Sequence, residues 1–271
     1  MADKAVKEVI WITGGGTGIG KALALEYAGR GATVAVSGRR REPLEQTREA
    51  IEKRGGTALV VPCDVTKVTE LEGAVTQIVD ATGRLDVVVA NAGFSVSGPF
   101  EELSQSDWKR QFDVNVFGLV MTVRAAIPHL RQSRGRIVLM GSVSGMVGLA
   151  KNAPYSASKF AVRGIGQSLN VEFAGTGITC TTLMPGFVES EIAQVDNRGQ
   201  FHEEWEDRRP AQLVCPSDRA ARSMRRAIDA RKKEAVITGH GKFAAFMGNH
   251  APRLTQTLMG RFAKKARQKD S

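Results

Sequence analysis

Cysteine and histidine are scarce in this chain of 271 residues. It has three cysteines, Cys63, Cys180 and Cys215, and four histidines, with no C-x-x-C pair and no metal-ligand spacing among them. An odd number of widely spaced cysteines does not fit a disulfide framework or a zinc site, and reduced thiols are typical of the cytosol. We therefore expect no disulfide, no metal site and a cytoplasmic location.

Long apolar runs are also missing. No stretch approaches the roughly 18 apolar residues of a membrane-spanning helix. The first residues, Met1 to Glu8, lack the apolar segment of a secretory signal peptide. We expect neither a transmembrane helix nor a cleaved signal.

Acidic residues are scarce only near the end of the chain. Residues 1–218 contain 24 basic and 25 acidic side chains, whereas residues 219–271 contain 14 basic and 3 acidic ones. The net charge of +10 therefore lies in the last 53 residues. A nucleic-acid-binding protein is expected to carry a basic face on its folded body. This distribution argues against a nucleic-acid partner and leaves a near-neutral body with a basic end.

Short β-branched runs alternate with helical patterns, which is typical of βαβ units and a parallel sheet. The strand-like runs are nearly all apolar, as in a sheet covered by helices on both faces. We predict an α/β fold with a single doubly wound domain over residues 1–240, a substrate lid at 187–216 and a basic amphipathic C-terminal extension at 241–271. The predicted strands are 9–13, 33–37, 58–62, 85–90, 136–140, 178–183 and 235–238, and the predicted helices are 18–28, 42–53, 68–81, 106–130, 155–174 and 217–230, with Ser106 and Ser217 as N-caps.

A glycine-rich loop, residues 13–20, joins the first predicted strand to the first helix and reads T-G-G-G-T-G-I-G. Glycine permits a positive φ, lets the backbone approach a pyrophosphate, and allows close packing of helix on strand. The helix N-terminus then offers N–H groups and a partial positive charge to phosphates. The loop predicts dinucleotide binding in a Rossmann-type fold; the alternative is a tight turn without a ligand.

The residues after the second predicted strand bear on the choice of nicotinamide cofactor. The strand ends at Ser37. Gly38 is followed by three arginines, of which Arg39 and Arg40 come first, and no carboxylate lies between Ser37 and Glu42. A carboxylate at this point would bind a ribose 2′-OH, whereas arginine accommodates a 2′-phosphate. The sequence favours NADP(H) over NAD(H). If the arginines are ordinary surface charges, the choice stays open.

Tyr155 and Lys159 are four residues apart in a predicted helix, on one face. A phenol is a weak acid with a pKa of about 10. A nearby ammonium stabilises the phenolate and lowers that pKa by about 1–3 units, which suits general acid/base chemistry. Such a pair also occurs by chance on helix surfaces, so its meaning depends on its partners.

Further motifs accompany the T-G-x-x-x-G-x-G loop and the Y-x-x-x-K pair in a fixed order. They are Asp64-Val65, Asn91-Ala92-Gly93, Asn115, Ser142 at thirteen residues before Tyr155, and Pro185-Gly186. With these motifs, residues 8–240 resemble the short-chain dehydrogenase/reductase family. The resemblance implies an oxidoreductase that moves a hydride between the nicotinamide and a substrate carbon. It also implies a homo-oligomer, dimer or tetramer, formed through helices 106–130 and 155–174.

The resemblance implies a role for each catalytic residue. Tyr155 exchanges a proton with the substrate oxygen, and Ser142 hydrogen-bonds that oxygen. Lys159 holds the nicotinamide ribose and lowers the tyrosine pKa, and Asn115 holds a water that relays protons. Ser144 is an alternative to Ser142, and Asn115 is alternatively a buried polar residue that bonds a helix carbonyl.

The resemblance also implies a set of cofactor contacts, with two departures from the family pattern. Thr17 stands where NADP-preferring members often have a basic residue, and Ser190 stands where a threonine is common. Asn91 is expected to act structurally by bonding the neighbouring strand. The implied cofactor-binding residues are Gly14, Gly16, Thr17, Gly18, Ile19, Gly20, Ser37, Arg39, Arg40, Asp64, Val65, Asn91, Ala92, Gly93, Tyr155, Lys159, Pro185, Gly186, Val188 and Ser190.

Large apolar residues surround these motifs and favour a lipophilic ketone or secondary alcohol as substrate. The lid is expected to close over it, although Phe201 and Trp205 could instead anchor the lid to the core. Val96, Met146 and Ile192 are further candidates for the walls. The predicted substrate pocket comprises Phe94, Ser95, Ser144, Leu149, Phe187, Phe201 and Trp205.

The basic end admits several interpretations. Pro252 is expected to open a helix in which Leu254, Leu258, Phe262 and Ala266 recur every four residues among cations. A basic amphipathic helix can lie on an anionic membrane surface, which predicts peripheral membrane contact through residues 243–267. Docking on the protein's own body, a subunit contact, a solvated tail and a docking site for an acidic carrier protein are the alternatives.

The leading functional hypothesis is an NADP(H)-dependent carbonyl reductase or alcohol dehydrogenase that acts on a small lipophilic molecule. The enzymatic alternative is a 3-oxoacyl-carrier-protein reductase that docks its acidic carrier on the basic end. The non-enzymatic alternative is a nucleotide-sensing interaction protein, which an intact Asn115, Ser142, Tyr155 and Lys159 disfavours.

Overall fold

The computed structural model describes residues 7–207 and 209–267. Within them, seven strands are present: β1 (Val9–Thr13), β2 (Thr33–Ser37), β3 (Thr57–Val60), β4 (Val87–Ala90), β5 (Arg136–Met140), β6 (Thr179–Met184) and β7 (Glu234–Val236). They form one all-parallel sheet in the order β3-β2-β1-β4-β5-β6-β7. The prediction of a doubly wound parallel sheet is confirmed.

Helices cover both faces of the sheet, and alternate strand residues point to opposite faces. The helices are α1 (Gly18–Ala28), α2 (Arg41–Glu52), α3 (Val68–Thr82), α4 (Gln105–Phe112), α5 (Leu119–Ser133), α6 (Ala153–Glu172), α7 (Ser217–Asp229), α8 (Gly239–His250) and α9 (Pro252–Arg267). Ile10 and Ile12 join one core cluster with α1, α2 and α7, whereas Val9 and Trp11 join the other with α3, α5 and α6.

The strand order reverses between β1 and β4, which are neighbours in the sheet. The segment that follows β1 turns to one face as α1, and the helices that follow β4 cover the other face. Parallel α/β sheets bind ligands in the crevice that this divergence opens at the carboxyl ends of the strands. The loops after β1, β4, β5 and β6 meet there.

The predicted helix over 106–130 is interrupted. It consists of α4, a π-helical turn at Asp113–Gly118, and α5. Ser104, rather than the predicted Ser106, is the N-cap: its hydroxyl accepts a bond from the Asp107 N–H, and the Asp107 carboxylate accepts one from the Ser104 N–H. The predicted cap at Ser217 is also wrong, because α7 begins at that residue and Pro216 precedes it.

The C-terminal segment forms two helices. The predicted helix that begins at Pro252 is present as α9, and α8 before it was not predicted. Ala245 of α8 is buried in a cluster with Met146 and Met184. The α8 helix therefore docks on the body of the protein beside the loop after β5. No helix of residues 7–207 and 209–267 combines the length and the apolar character needed to span a bilayer.

Candidate active site

One cleft of about 2040 Å³ runs along the carboxyl ends of the central strands. Pockets for a single small ligand measure roughly 300–1,000 Å³, so this cleft has room for a dinucleotide and a second molecule. The predicted site residues that line it are Gly14, Gly16, Thr17, Gly18, Ile19, Gly20, Arg39, Arg40, Asp64, Val65, Asn91, Ala92, Gly93, Phe94, Ser95, Ser142, Ser144, Leu149, Tyr155, Lys159, Pro185, Gly186, Phe187, Val188, Ser190, Phe201 and Trp205.

Four residues predicted for the cleft lie beneath its surface instead. Ser37 is fully buried, and its hydroxyl accepts a hydrogen bond of 2.9 Å from the Trp11 indole N–H. Asn115 is buried under the loop after β4. Val96 is buried, and Met146 packs in the core cluster with α8. The lining residue after β2 is Gly38 rather than Ser37.

The glycine loop requires glycine for two different reasons. Gly14 and Gly18 have φ values of +65° and +51°, which L side chains rarely adopt. A Cβ on Gly20 would lie 2.1 Å from the Gly14 carbonyl oxygen, so helix α1 packs against its own loop more closely than any side chain allows. The Thr17 side chain makes no capping hydrogen bond to the first turn of α1. The N–H groups of that turn are therefore available to a phosphate.

Asn91 holds the glycine loop in place. Its side-chain amide donates to the carbonyl oxygens of Thr13 at 2.8 Å and Gly14 at 3.2 Å, and its backbone N–H donates to the Thr13 hydroxyl. The side chain thus bonds the end of the neighbouring strand, as its structural interpretation predicts. Its effect on a bound nucleotide would be exerted through the shape of the loop.

Tyr155 and Lys159 occupy adjacent turns of α6 at the floor of the cleft. The Lys159 Nζ atom lies 5.6 Å from the centroid of the Tyr155 ring and donates a 2.7 Å hydrogen bond to the Met140 carbonyl oxygen. The ammonium is buried, and burial lowers the pKa of Lys159 from 10.5 to about 8. The positive charge is held near the phenol by the end of β5.

Ser142 approaches the Tyr155 phenol from the loop after β5. Burial raises the pKa of Tyr155, and the nearby Ser142 hydroxyl counteracts part of that rise. The Ser142 hydroxyl accepts a 3.1 Å bond from the Ser144 backbone N–H. Of the two serines, Ser142 is the one whose hydroxyl interacts with Tyr155, and Ser144 helps to orient it.

Asn115 lies in the π-helical turn and connects two parts of the site. Its Oδ1 accepts from the Phe94 N–H at 3.1 Å, and its Nδ2 donates to the Phe94 carbonyl at 3.0 Å and to the Ser158 hydroxyl at 3.3 Å. Ser158 donates in turn to the Tyr155 carbonyl oxygen at 2.7 Å. π-Helical turns are frequent at functional sites, and this one joins the loop after β4 to α6. The proton-relay role of Asn115 stays a prediction.

The predicted lid crosses the cleft and is held on both sides by hydrogen bonds and an ion pair. On one side, the Asn197 side chain and the Ser97 backbone exchange two hydrogen bonds of 2.9 Å. On the other side, Arg39 donates to the Gly199 carbonyl at 3.2 Å, and Arg40 forms a 3.0 Å ion pair with Glu191. The arginines predicted for a 2′-phosphate therefore also hold the lid.

Two of the polar residues that line the cleft, Arg209 and His240, bond predicted site residues and were missed in the sequence. The Arg209 guanidinium forms an ion pair with Asp207, donates to the carbonyls of Val188 and Ser190, and lowers the pKa of Tyr155 by its charge. His240 accepts a 3.0 Å bond from the Phe187 N–H, and burial lowers its pKa. The position of His240 shortly after a predicted strand could have indicated it; Arg209 lies in an irregular stretch without such a signal.

The C-terminal helices complete the wall of the cleft. Phe243 and Met247 of α8 and Leu258 and Met259 of α9 line it. These residues belong to the segment that the charge pattern marked as an extension. Together with Phe187 and Trp205, they contribute large apolar side chains to the lining of the cleft.

Comparison with known proteins identifies relatives. A family model described as short chain dehydrogenase matches residues 8–200. The 11-beta-hydroxysteroid dehydrogenase A of Sesamum indicum is 37% identical over 204 residues, which are 74% of this chain and 57% of that protein. The hydroxynaphthalene reductase of Aspergillus fumigatus is 35% identical over 186 residues, 68% of each chain. This chain spans little more than half the length of the plant enzyme that it matches.

Solved structures share the fold. A short-chain dehydrogenase/reductase from Burkholderia phymatum in complex with NAD superposes with a TM-score of 0.81 at 24% identity, covering 92% of this chain and 95% of that one. An alcohol dehydrogenase of the archaeon Thermococcus sibiricus, complexed with 5-hydroxy-NADP, gives 0.75 at 24% identity, covering 86% and 96%. At this level of identity the likeness bears on the fold alone.

Proposed function

The chain belongs to the short-chain dehydrogenase/reductase family, and on that premise we propose that it reduces a lipophilic ketone to a secondary alcohol with NADPH. The observation that carries the proposal is the convergence of Tyr155, Lys159 and Ser142 on one point of a cleft whose other end is the glycine loop. When bound, the nicotinamide supplies the hydride, and the protein supplies the proton and the orientation.

The residues of the cleft fit a dinucleotide. The glycine loop leaves space that a Cβ would fill, and the first turn of α1 presents its N–H groups beside it. Asp64 and Val65 line the part of the cleft next to Gly38 and Arg39, where an adenosine would bind. Lys159 is positioned to hold the nicotinamide ribose.

The proton chemistry favours reduction. Because burial raises the pKa of Tyr155, its phenol is protonated at neutral pH, and it can donate that proton to a substrate oxygen. Ser142 would hold the same oxygen. The phenolate that remains would be stabilised by the Lys159 ammonium, 5.6 Å from the ring centroid.

The preference for NADPH over NADH rests on the residues after β2. Arg39 and Arg40 line the cleft, and no carboxylate lies between Ser37 and Glu42 in the chain. A guanidinium can bind a 2′-phosphate with charge-assisted hydrogen bonds, whereas a 2′-hydroxyl alone would leave these arginines without an anionic partner from the cofactor.

The lipophilic substrate is supported by large apolar side chains in the lining of the cleft. They are Phe187, Trp205, Phe243, Met247 and Leu258. Two relatives are named for hydroxysteroid and hydroxynaphthalene chemistry, and apolar compounds of this type suit such a wall.

Turnover of a panel of ketones with NADPH and with NADH tests the proposal. We expect oxidation of NADPH with apolar cyclic ketones, and a loss of about 10²–10⁴-fold in kcat for Tyr155→Phe, with nucleotide binding retained. Tyr27→Phe is the matched control, because the chain has two tyrosines and the buried Tyr27 hydroxyl has no hydrogen-bond partner among the described residues. Full turnover in Tyr155→Phe would contradict the mechanism.

Self-association is the second part of the proposal. Phe117 in the π-helical turn and Phe160 and Val171 on α6 expose apolar side chains to solvent. These residues belong to the long helical segments through which family members are expected to associate. Light scattering measures the mass of the particle, and Phe160→Glu should lower it toward that of one chain.

A further inference from the structure

Large apolar side chains are concentrated on the outer surface of α8 and α9. Phe243 and Phe246 are 70% and 60% exposed, and Leu254 and Leu258 are 52% and 37% exposed. They span only 16 residues of the chain. Phe243 and Phe246 are three positions apart on one helix, and Leu254 and Leu258 are four apart on the next, so each pair shares a helix face. We call these four residues the apolar patch.

The surroundings of the apolar patch carry one sign of charge. Residues 239–267 contain six cationic side chains and no acidic one. Four of the cations, Lys242, Arg253, Arg261 and Lys264, are exposed. Elsewhere on the described surface, cations are commonly paired with acidic neighbours, as Arg41 and Arg48 are with Glu45. The two helices thus combine exposed apolar groups with cations, the composition that binds anionic lipid headgroups and the acyl boundary below them.

The apolar patch is also the rim of the substrate cleft. Phe243 and Leu258 belong both to the patch and to the cleft lining. The α8 helix is held firmly against the body, because Ala245 is buried and a Cβ on Gly248 would lie 2.6 Å from the Val147 side chain. The apolar patch therefore adjoins the cleft and keeps a fixed position beside it.

We propose that α8 and α9 seat the enzyme on an anionic lipid surface, with the mouth of the cleft at the lipid boundary, so that a lipophilic ketone enters from the lipid. The entry of a ketone from the lipid rests on the proposed function; the binding of α8 and α9 to an anionic lipid surface does not. An acidic carrier protein is less suited, because its charges would pair with the cations but leave four large apolar groups unburied. Burial of phenylalanine and leucine side chains is a main source of binding free energy, so this loss would be considerable.

Cosedimentation of the full chain with vesicles tests the binding part. The probes are phosphatidylcholine vesicles with and without phosphatidylserine. We expect sedimentation with the anionic vesicles, little with the neutral ones, and release by salt. The double variant Phe246→Ser/Leu254→Ser should bind about tenfold or more weakly, and Arg253→Gln/Lys264→Gln should lose the preference for phosphatidylserine.

The matched control is Phe100→Ser, since Phe100 is 68% exposed and lies before α4, away from the cleft lining. This variant should sediment like the parent. The proposal is overturned if the parent chain does not sediment with anionic vesicles, or if Phe100→Ser loses as much vesicle binding as the double variant does. It is also overturned if the double variant binds vesicles like the parent but forms a smaller oligomer.

A second measurement separates this inference from the proposed function. Phe246 and Leu254 do not line the cleft, so the double variant should reduce a water-soluble ketone at the parent rate and reduce a ketone dissolved in vesicles more slowly. Vesicle binding without turnover of any ketone would contradict the proposed function and leave the docking surface standing. Equal rates on the vesicle-borne ketone would overturn delivery from the lipid.

Discussion

The Lys159 ammonium donates a 2.7 Å hydrogen bond to the carbonyl oxygen of Met140, the last residue of β5. This contact fixes a buried positive charge between the end of a central strand and the Tyr155 ring. Burying a charge costs free energy unless its partners compensate for lost hydration, and here Nζ has one hydrogen bond among the described residues, to a backbone carbonyl, and the Tyr155 ring beside it. Lys159 is therefore expected to lower the stability of the unliganded protein while it serves the site.

Lys159→Met should stabilise the unliganded protein at neutral pH. The pKa of Lys159 is about 8 in the fold against 10.5 for a free lysine, so the folded state disfavours the charged form by roughly 3 kcal/mol. Loss of the hydrogen bond to Met140 costs about 1 kcal/mol, which leaves a net gain. Urea denaturation of both proteins at several pH values measures it.

The pH dependence of that gain follows from the direction of the shift. Between about pH 8 and 10.5 the unfolded chain binds a proton that the folded chain does not, so the parent becomes more stable as the pH rises through this window. The advantage of Lys159→Met should be complete at pH 8 and below and should shrink toward pH 10.5. Lys109→Met, which removes an exposed lysine instead of a buried one, is the control, and a pH-independent gain in Lys159→Met would refute the explanation.

Arg39→Asp should shift the cofactor preference from NADPH toward NADH. A carboxylate would repel a 2′-phosphate and could bind the ribose hydroxyls. We expect the ratio of kcat/KM for NADPH to that for NADH to fall about tenfold or more, in line with the loss of one charge-assisted contact. Steady-state kinetics with both cofactors measures it.

Arg41→Asp is the control for this substitution, because Arg41 pairs with Glu45 on the surface of α2 and does not line the cleft. The cofactor ratio should be unchanged in it. An unchanged ratio in Arg39→Asp would remove Arg39 from the phosphate site.

Much of the fold follows from residue patterns, because a parallel sheet buries its strands on both faces. The runs Val9–Thr13 and Arg136–Met140 coincide with predicted strands to the residue. Patterns fail where tertiary packing decides. The α8 helix, with Gly239 and Gly241 in its first turn, has weak intrinsic helical preference, and it is stabilised by packing of Ala245 on the body.

In the site, too, some residues follow from sequence patterns and others are placed by tertiary packing. Loops after strands β1, β4, β5 and β6 carry the motif residues to one edge because the strands are parallel. Strand alternation, however, turns Ser37 toward the face that holds Trp11, and its hydroxyl is used inside the core. The contribution of Arg209 depends on how an irregular segment folds over the cleft, and no periodicity encodes that.

Asn197→Ala should loosen the lid on its substrate side. It removes both hydrogen bonds to the Ser97 backbone, each worth about 0.5–1.5 kcal/mol. We expect KM for the ketone to rise by about tenfold, with a smaller change in KM for the nucleotide. Asn170→Ala, at a side chain that bonds its own helix at Gly166, should leave both values unchanged, and equal changes in the two KM values would argue against a lid specific to the substrate.

The acid limb of activity should depend on His240. Its Nε2 accepts a hydrogen bond from the Phe187 N–H, so the ring must be unprotonated at that nitrogen, and burial already lowers the pKa of His240 below 6.5. Because the unfolded chain binds this proton more readily, the contribution of His240 to stability is present above pH 6.5 and is lost as the pH falls below it. Protonation would also detach Phe187, which lines the cleft.

His240→Gln can supply an amide oxygen as acceptor without titrating, so it should extend activity to lower pH while it keeps most activity at pH 7.5. The pH profile of kcat/KM measures this, with His129→Gln, remote from the cleft lining, as the control. If the profile of His240→Gln falls at the same pH as that of the parent, then another group governs the acid limb.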